Sequence, residues 1–285
     1  MIVARTRAEL ARGLASLRVG ARRLGLVPTM GYLHEGHLSL VDLARASADV
    51  VAASVFVNPI QFGPDEDIAS YPRDPDRDLA MLAARGAQLA FLPGVEEMYP
   101  LGEPRITVDP GADAGRMCGA FRPGHFRGVL TVVAKLFGLF RPEVAVFGRK
   151  DLQQLVLIER MNADLDMGVE VVGGAIVREP DGLAMSSRNS YLSADERRAA
   201  PSLQRGLLHA RTRFQQGERS AAALLEELRA ELSGSPLLRL QYAEVVDPST
   251  LDPADHAPAG AVLALAAFCG RTRLIDNVVL DPHRP

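Results

Sequence analysis

The sequence predicts an α/β protein, a parallel sheet with crossover helices followed by a smaller α+β domain. Three observations predict it. Apolar, β-branched runs alternate with segments of helical period from residue 22 to about 173. Two of the strand-to-helix junctions, at 27–41 and 148–151, combine glycine with imidazole or cationic side chains. From Ser193 the order changes to helices and then strands, a segregation that belongs to an α+β unit.

Taken in order, residues 5–18 place Leu10, Leu14 and Leu17 at helical spacing. Leu24 to Val27 reads as a short buried strand, and Leu38 to Ala46 as the helix after it. Asp49 to Val57 is a strand stopped by Asn58-Pro59, and the loop through Asp67 is too rich in Pro, Gly and acids for regular structure. A helix with Leu79, Leu82 and Ala83 as its apolar stripe follows Asp74. Gln88 to Leu92 and Arg105 to Val108 read as strands, and Val129 to Phe140 as a long apolar helix. Glu143 to Phe147 is a buried strand before the helix Leu152 to Met161, and Gly174 to Val177 another strand. Ala194 to Arg213 and Ser220 to Leu232 read as helices, with strands near Leu237 to Val246, Ala261 to Phe268 and Arg273 to Val279. Neither an internal repeat nor a low-complexity tract interrupts this order.

The first junction carries the chemistry. The first turn of a helix has unpaired N–H groups and a positive dipole end, so it attracts anions such as phosphate. His34 and His37 are three apart there, which puts their Cβ atoms about 5–6 Å from each other on one face. Two imidazoles so placed can grip one phosphate, while the pattern is a poor one for zinc because no third ligand is at hand. Asn58 and Gln61 lie in a loop at the carboxyl end of a strand, where such sheets bind ligands, although Asn58 could equally cap a turn. Arg122, His125 and Arg127 make a basic, glycine-punctuated loop at a helix start. Ser186, Ser187, Arg188 and Asn189 are good donors for phosphate oxygens, or an ordinary capped turn.

Bulk properties bound the rest. The chain of 285 residues, 47% hydrophobic, has room for one large and one smaller domain. Its 32 Lys and Arg stand against 35 Asp and Glu, a net charge of −3, which gives no basic field for nucleic acid. Arginine dominates, so the only two lysines, Lys135 and Lys150, invite the question of what an ammonium does at each place. Lys150 sits at the second junction, and Lys135 is expected to snorkel from its apolar helix. Cys118 and Cys269 are far apart with no C-x-x-C, which fits a reducing cytoplasm. No signal-peptide core is present in residues 1–21 and no apolar run reaches the ~18–20 residues of a membrane span.

Five ordered motifs carry a resemblance. Pro28-Thr29-Met30-Gly31-x-Leu33-His34-Glu35-Gly36-His37, Val57-Asn58-Pro59-x-Gln61-Phe62, Gly124-His125-Phe126-x-Gly128-Val129, Lys150-Asp151-x-Gln153-Gln154 and Met185-Ser186-Ser187-Arg188-Asn189 occur as they do in the pantothenate synthetase family. The resemblance is dense over residues 22 to about 192 and thinner through Tyr242-Ala243-Glu244-Val245 to Asp276-Asn277. It implies a Rossmann-like ATP- and pantoate-binding domain over 1–176 and a smaller α+β lid domain over 177–285. It also implies an ATP-dependent ligase joining (R)-pantoate to β-alanine through a pantoyl adenylate, with release of AMP and pyrophosphate. His34-Glu35-Gly36-His37 and Met185-Ser186-Ser187-Arg188 look like the HIGH and KMSKS motifs of related nucleotidyltransferases.

The residue roles follow from that resemblance. Met30, Gly31, Tyr32, Leu33, His34, Glu35, Gly36 and His37 would line ATP, with His34 and His37 on its phosphates and His37 the proton donor. Gly148, Arg149, Lys150, Asp151 and Val177 would contact the nucleotide, Lys150 also on phosphate, and Met185, Ser186, Ser187 and Arg188 would engage its outer phosphates. Gln61 and Gln154 would hold pantoate, with Asn58, Tyr71, Arg122 and His125 around the substrate pocket. Magnesium on the triphosphate, without specified protein ligands, and a homodimer are likewise implied. Arg149 and Leu152 depart from the family's usual residues, so the resemblance leaves the role of Arg149 open. Gln61, Gln154 and the small second domain argue against another HIGH-type nucleotidyltransferase, and the presence of His34, His37 and Lys150 against a catalytically silent nucleotide binder.

Overall fold

The computed structural model of the chain describes residues 1–20, 22–64 and 66–281; Asp65 of the expected loop and residues 282–285 of the expected second domain lie outside them. In chain order the elements are β1 (Ile2–Ala4), α1 (Arg7–Leu17), β2 (Leu24–Thr29), α2 (Glu35–Ser47), β3 (Val50–Val55), α3 (Pro75–Ala84), β4 (Leu89–Phe91) and α4 (Val95–Met98). They continue as α5 (Met117–Phe121), α6 (His125–Phe140), β5 (Val144–Gly148), α7 (Leu152–Asp164) and β6 (Glu170–Gly174). The last are α8 (Ala194–Ala199), α9 (Ser202–Gln215), α10 (Ala221–Ser233), β7 (Leu238–Val246), β8 (Val262–Cys269) and β9 (Thr272–Val279).

Two compact units form. The first comprises 1–112, 122–149 and 157–175, and the second 113–121, 150–156 and the chain from Ile176. In the first, six strands pair in parallel in the order β1-β4-β3-β2-β5-β6. Strands β2, β3 and β5 are apolar almost without interruption because helices cover both faces of such a sheet, and Leu26, Ala52 and Ala145 are wholly buried in neighbouring register. From β2 the chain proceeds to β3 and β4 on one side, whereas β5 leads to β6 on the other. The order therefore reverses between the carboxyl ends of β2 and β5, at Thr29 and Gly148, which is where open α/β sheets bind ligands.

The second unit holds a three-stranded antiparallel sheet, β7-β8-β9, with α9 and α10 supplying its apolar cover through Leu203, Leu207, Leu224 and Leu228 against Leu263 and Leu265.

Four expectations need correction. Arg105 to Val108 forms no strand: the Val108 N–H donates to the Thr131 hydroxyl at 3.0 Å instead of to a neighbouring strand. The strand expected at Gly174 to Val177 is β6, ending at Gly174, because its register starts at Glu170 opposite Val144. The helix expected from Ala194 to Arg213 is two, α8 and α9, broken around Pro201, which cannot donate a helix-interior hydrogen bond. The partition at 176/177 misses that 113–121 and 150–156 belong to the second unit. Gln153, 3% exposed, ties them together by donating to the Asp113 and Arg116 carbonyls, and Cys118 meets the Tyr242 hydroxyl at 3.2 Å.

Candidate active site

Strand β2 ends in a turn that the backbone adopts only under constraint. Gly31 has φ 83° and Tyr32 φ 50°, both left-handed, and a Cβ on Gly31 would stand 3.0 Å from Asp78 Oδ2. Asp78 of α3, 1% exposed, holds the turn by accepting the Tyr32 N–H at 2.8 Å and the Leu33 N–H at 2.7 Å. Burial raises its carboxyl above the ordinary range, and the two N–H bonds oppose that rise. Sequence reasoning missed Asp78, since an acid near a helix start reads as a dipole partner. Asp78→Asn exchanges one of two acceptor oxygens for an NH2 that faces an N–H. The expected outcome is a loss of about 1–3 kcal/mol in stability and a raised KM for ATP, measured by thermal unfolding and steady-state kinetics.

Helix α2 begins with an unusual cap. His34, with φ −140° and ψ 175°, is the N-cap, and its Nδ1 accepts the Gly36 N–H at 3.1 Å. His37 reciprocates, its Nδ1 accepting the His34 N–H at 3.3 Å. The two imidazoles thus form the reciprocal box that Ser and Glu usually make, with ring centroids 4.1 Å apart. Because backbone N–H groups donate to both Nδ1 atoms, each neutral ring carries its proton on Nε2, on the far side of the ring from the cap. The sequence-based pairing of His34 and His37 on one face is what the structure builds. Glu35 points elsewhere, its carboxylate half exposed and paired with Arg85 at 2.7 Å, which keeps its charge from opposing an anion.

After β3, Gln61 is 8% exposed and Asn58 1%. The Asn58 amide is committed within the protein, its Nδ2 donating to Gln61 Oε1 at 2.9 Å and to the Gly128 carbonyl at 3.2 Å. Helix α6 approaches this turn so closely that a Cβ on Gly128 would lie 2.3 Å from the Ile60 carbonyl oxygen. Arg122 forms a two-pronged pair with Glu66, at 2.6 and 2.7 Å, and donates to His125 Nε2 at 2.9 Å. The His125 ring therefore carries its proton on Nδ1, which donates to the Gln61 carbonyl at 2.8 Å. Arg122 and His125 so brace the backbone of Gln61. Tyr71 is buried, its ring edge-on to Phe62.

Burial raises the Glu66 carboxyl, but the Arg122 pair and the Gly63 backbone outweigh it and leave Glu66 below its ordinary value of 4.5. A carboxyl lowered by folding contributes stability that is full above its unfolded value and is lost as pH falls through the folded one. The expected outcome is that the melting temperature falls on acidification below 4.5 and falls less steeply in Glu66→Gln, as thermal scans across pH would read.

Strand β5 ends at Gly148, after which Arg149 donates to the Gly173 carbonyl at 3.1 Å. In the second unit, Lys150 is half-buried and its backbone carbonyl accepts from the Asn277 amide at 3.1 Å. Asp151 is exposed, Gln153 is turned inward, and Gln154 is half-exposed. Val177 accepts the Met185 N–H at 3.0 Å, closing a hairpin pinned by the Arg178–Asp276 pair at 2.7 and 2.9 Å. Burial pushes the Asp276 carboxyl up and Arg178 opposes it. Ser186 caps the following turn by accepting the Arg188 N–H at 3.3 Å, and Ser187 is buried.

A parallel sheet whose order reverses beside a helix capped by two imidazoles defines an α/β protein with an anion-accepting site at the carboxyl ends of its strands. The comparisons name the family. The pantoate-beta-alanine ligase profile matches residues 2–279, and the chain belongs to that family. It is 53% identical over 275 residues to pantothenate synthetase 1 of Bradyrhizobium diazoefficiens, covering 96% of each chain. It is 49% identical over 279 residues to pantothenate synthetase of a Thermoanaerobacter strain, covering 98% of each. The crystal structure of pantothenate synthetase from Thermus thermophilus superposes with TM-score 0.93 at 49% identity, over 99% of this chain and 100% of that one. The pantoate-beta-alanine ligase from Francisella tularensis, crystallised as a complex with beta-gamma ATP and β-alanine, gives TM-score 0.80 at 30% identity, over 98% of each chain.

Proposed function

We propose that His34, His37, Gln61, Gln154, Lys150 and Arg188 carry the ATP-dependent ligation of pantoate to β-alanine in two steps. The pantoate carboxylate attacks the α-phosphorus of ATP, giving pantoyl adenylate and pyrophosphate. The amine of β-alanine then attacks the acyl carbon, releasing AMP and leaving pantothenate. Crowding a carboxylate onto a triphosphate demands donors and cations where charge accumulates. The observation that carries this reading is the imidazole cap of α2, which commits both Nδ1 atoms to backbone at the start of the helix that follows β2, so that each neutral ring has its N–H on Nε2. His34 and His37 give these hydrogens to phosphate oxygens, Lys150 and Arg188 add charge, and Ser186 and Ser187 add hydroxyl donors. Met30 through Leu33 with Gly148, Arg149, Asp151 and Val177 receive the rest of the nucleotide, and Gln61 and Gln154 receive pantoate. Asn58, Arg122 and His125 act through Gln61, and Tyr71 supports the same loop.

Magnesium would accompany ATP and offset the charge of its phosphates. Among the described residues no group of three His, Cys, Asp or Glu side chains converges, and magnesium on a nucleotide is held largely by phosphate oxygens and water. The homodimer reading is supported by Leu101 and Ile106, 98% and 90% exposed, with Ile106 in the stretch that pairs with no strand among the described residues; its check is the mass in solution. Cys118 and Cys269, both buried free thiols, suit a reducing cytoplasm.

The test follows AMP release from ATP and magnesium with both pantoate and β-alanine and with each omitted. Release that requires both, with pyrophosphate formed on pantoate alone, supports the two-step reading. AMP formation without pantoate contradicts it.

A further inference from the structure

We propose that Tyr99 is a positioning residue for the acid substrate: through Asn58, its phenol O–H turns the Gln61 amide so that Gln61 offers N–H rather than C=O to the substrate. The inference rests on the reading that Gln61 contacts pantoate.

The direction of the chain of bonds follows from one group that can only accept. The Gly128 carbonyl lies 3.2 Å from Asn58 Nδ2 and so must face an N–H. That fixes Asn58 Oδ1 on the opposite side, 2.7 Å from the Tyr99 hydroxyl, which must then be the donor. The second Asn58 N–H meets Gln61 Oε1 at 2.9 Å, so this oxygen is an acceptor already occupied. Gln61 is left with its Nε2, 3.1 Å from Met30 Sδ. A thioether is a weak acceptor, and a carboxylate or hydroxyl oxygen of the substrate takes the same hydrogen more favourably.

Tyr99 is built to stay a donor. It is 6% exposed, and burial drives its phenol well above the ordinary range, so it keeps its proton at every working pH. Without that O–H, Asn58 Oδ1 becomes a buried acceptor with no partner, and turning the amide over would set it against the Gly128 carbonyl. Either way the hold on Gln61 loosens. Tyr99 touches no reacting atom in this scheme and acts only through the two amides.

Tyr99→Phe, Gln61→Ala, the double variant and Gln61→Glu are compared by steady-state kinetics with pantoate and ATP varied separately. Tyr99→Phe is expected to raise the KM for pantoate about tenfold with the KM for ATP within about twofold, and to add nothing in the Gln61→Ala background. Gln61→Glu, which has acceptors only, is expected to be worse for pantoate than Gln61→Ala. If Gln61→Ala leaves pantoate kinetics unchanged, the reading of Gln61 itself fails. If Gln61→Ala is impaired while Tyr99→Phe keeps the native pantoate KM, or if the two losses multiply, the role of Tyr99 is overturned. Should Tyr99→Phe not fold, a Gln61→Glu enzyme better than Gln61→Ala refutes the donor direction on its own.

Discussion

His37→Ala lowers pantoate-dependent exchange of pyrophosphate into ATP by about 100- to 1,000-fold, the range seen when one preorganised donor to developing charge is removed. ATP affinity, read by equilibrium binding, is expected to change by less than about tenfold, because the substitution leaves the other residues proposed to hold the nucleotide in place. The two effects separate for a structural reason. The His37 ring braces the cap through Nδ1, which accepts the His34 N–H, whereas the phosphate donor of the proposed reading is Nε2. His37→Asn can return an acceptor to the His34 N–H without reproducing the Nε2 donor, so it is expected to recover stability and not exchange. A His37→Ala enzyme with unchanged exchange would remove His37 from the mechanism.

Lys150→Met is expected to have the second large effect, again about 100- to 1,000-fold in the overall rate, if Lys150 supplies the proposed phosphate-directed charge. Its fold is expected to survive within about 0.5 kcal/mol. What anchors the turn is the backbone carbonyl of residue 150, held by Asn277, which the substitution leaves in place. Lys150→Arg restores charge with a planar fork on a different reach, so partial recovery is expected. Thermal unfolding beside initial rates separates the two effects, and a parallel collapse of stability would contradict the assignment.

Much of this was legible in the sequence because it is local. The alternation of apolar runs and helical period located β2, α2, β3, α6 and β5, and spacing alone paired His34 with His37. Short or unpartnered segments were not legible: β1 is three residues whose strand character depends on pairing with β4, and Arg105 to Val108 has strand composition but no ladder among the described residues. The supporting residues were hidden for a related reason. Asp78 bonds to a turn 45 residues earlier in the chain, and Tyr99 meets Asn58 across 41, distances at which no periodicity carries information. Asn58, read from its loop position as a substrate contact or a turn cap, turns out to have its amide committed to Gln61, Gly128 and Tyr99.

The central claim is that the acid substrate itself attacks the α-phosphorus while the protein supplies donors and charge. Pantoate labelled with oxygen-18 in its carboxylate, turned over with ATP and β-alanine, tests it directly by mass spectrometry of the AMP. Transfer of one labelled oxygen to AMP is the predicted result. Unlabelled AMP, with the displaced labelled oxygen found in pyrophosphate or water instead, would contradict attack by the substrate carboxylate on the α-phosphorus.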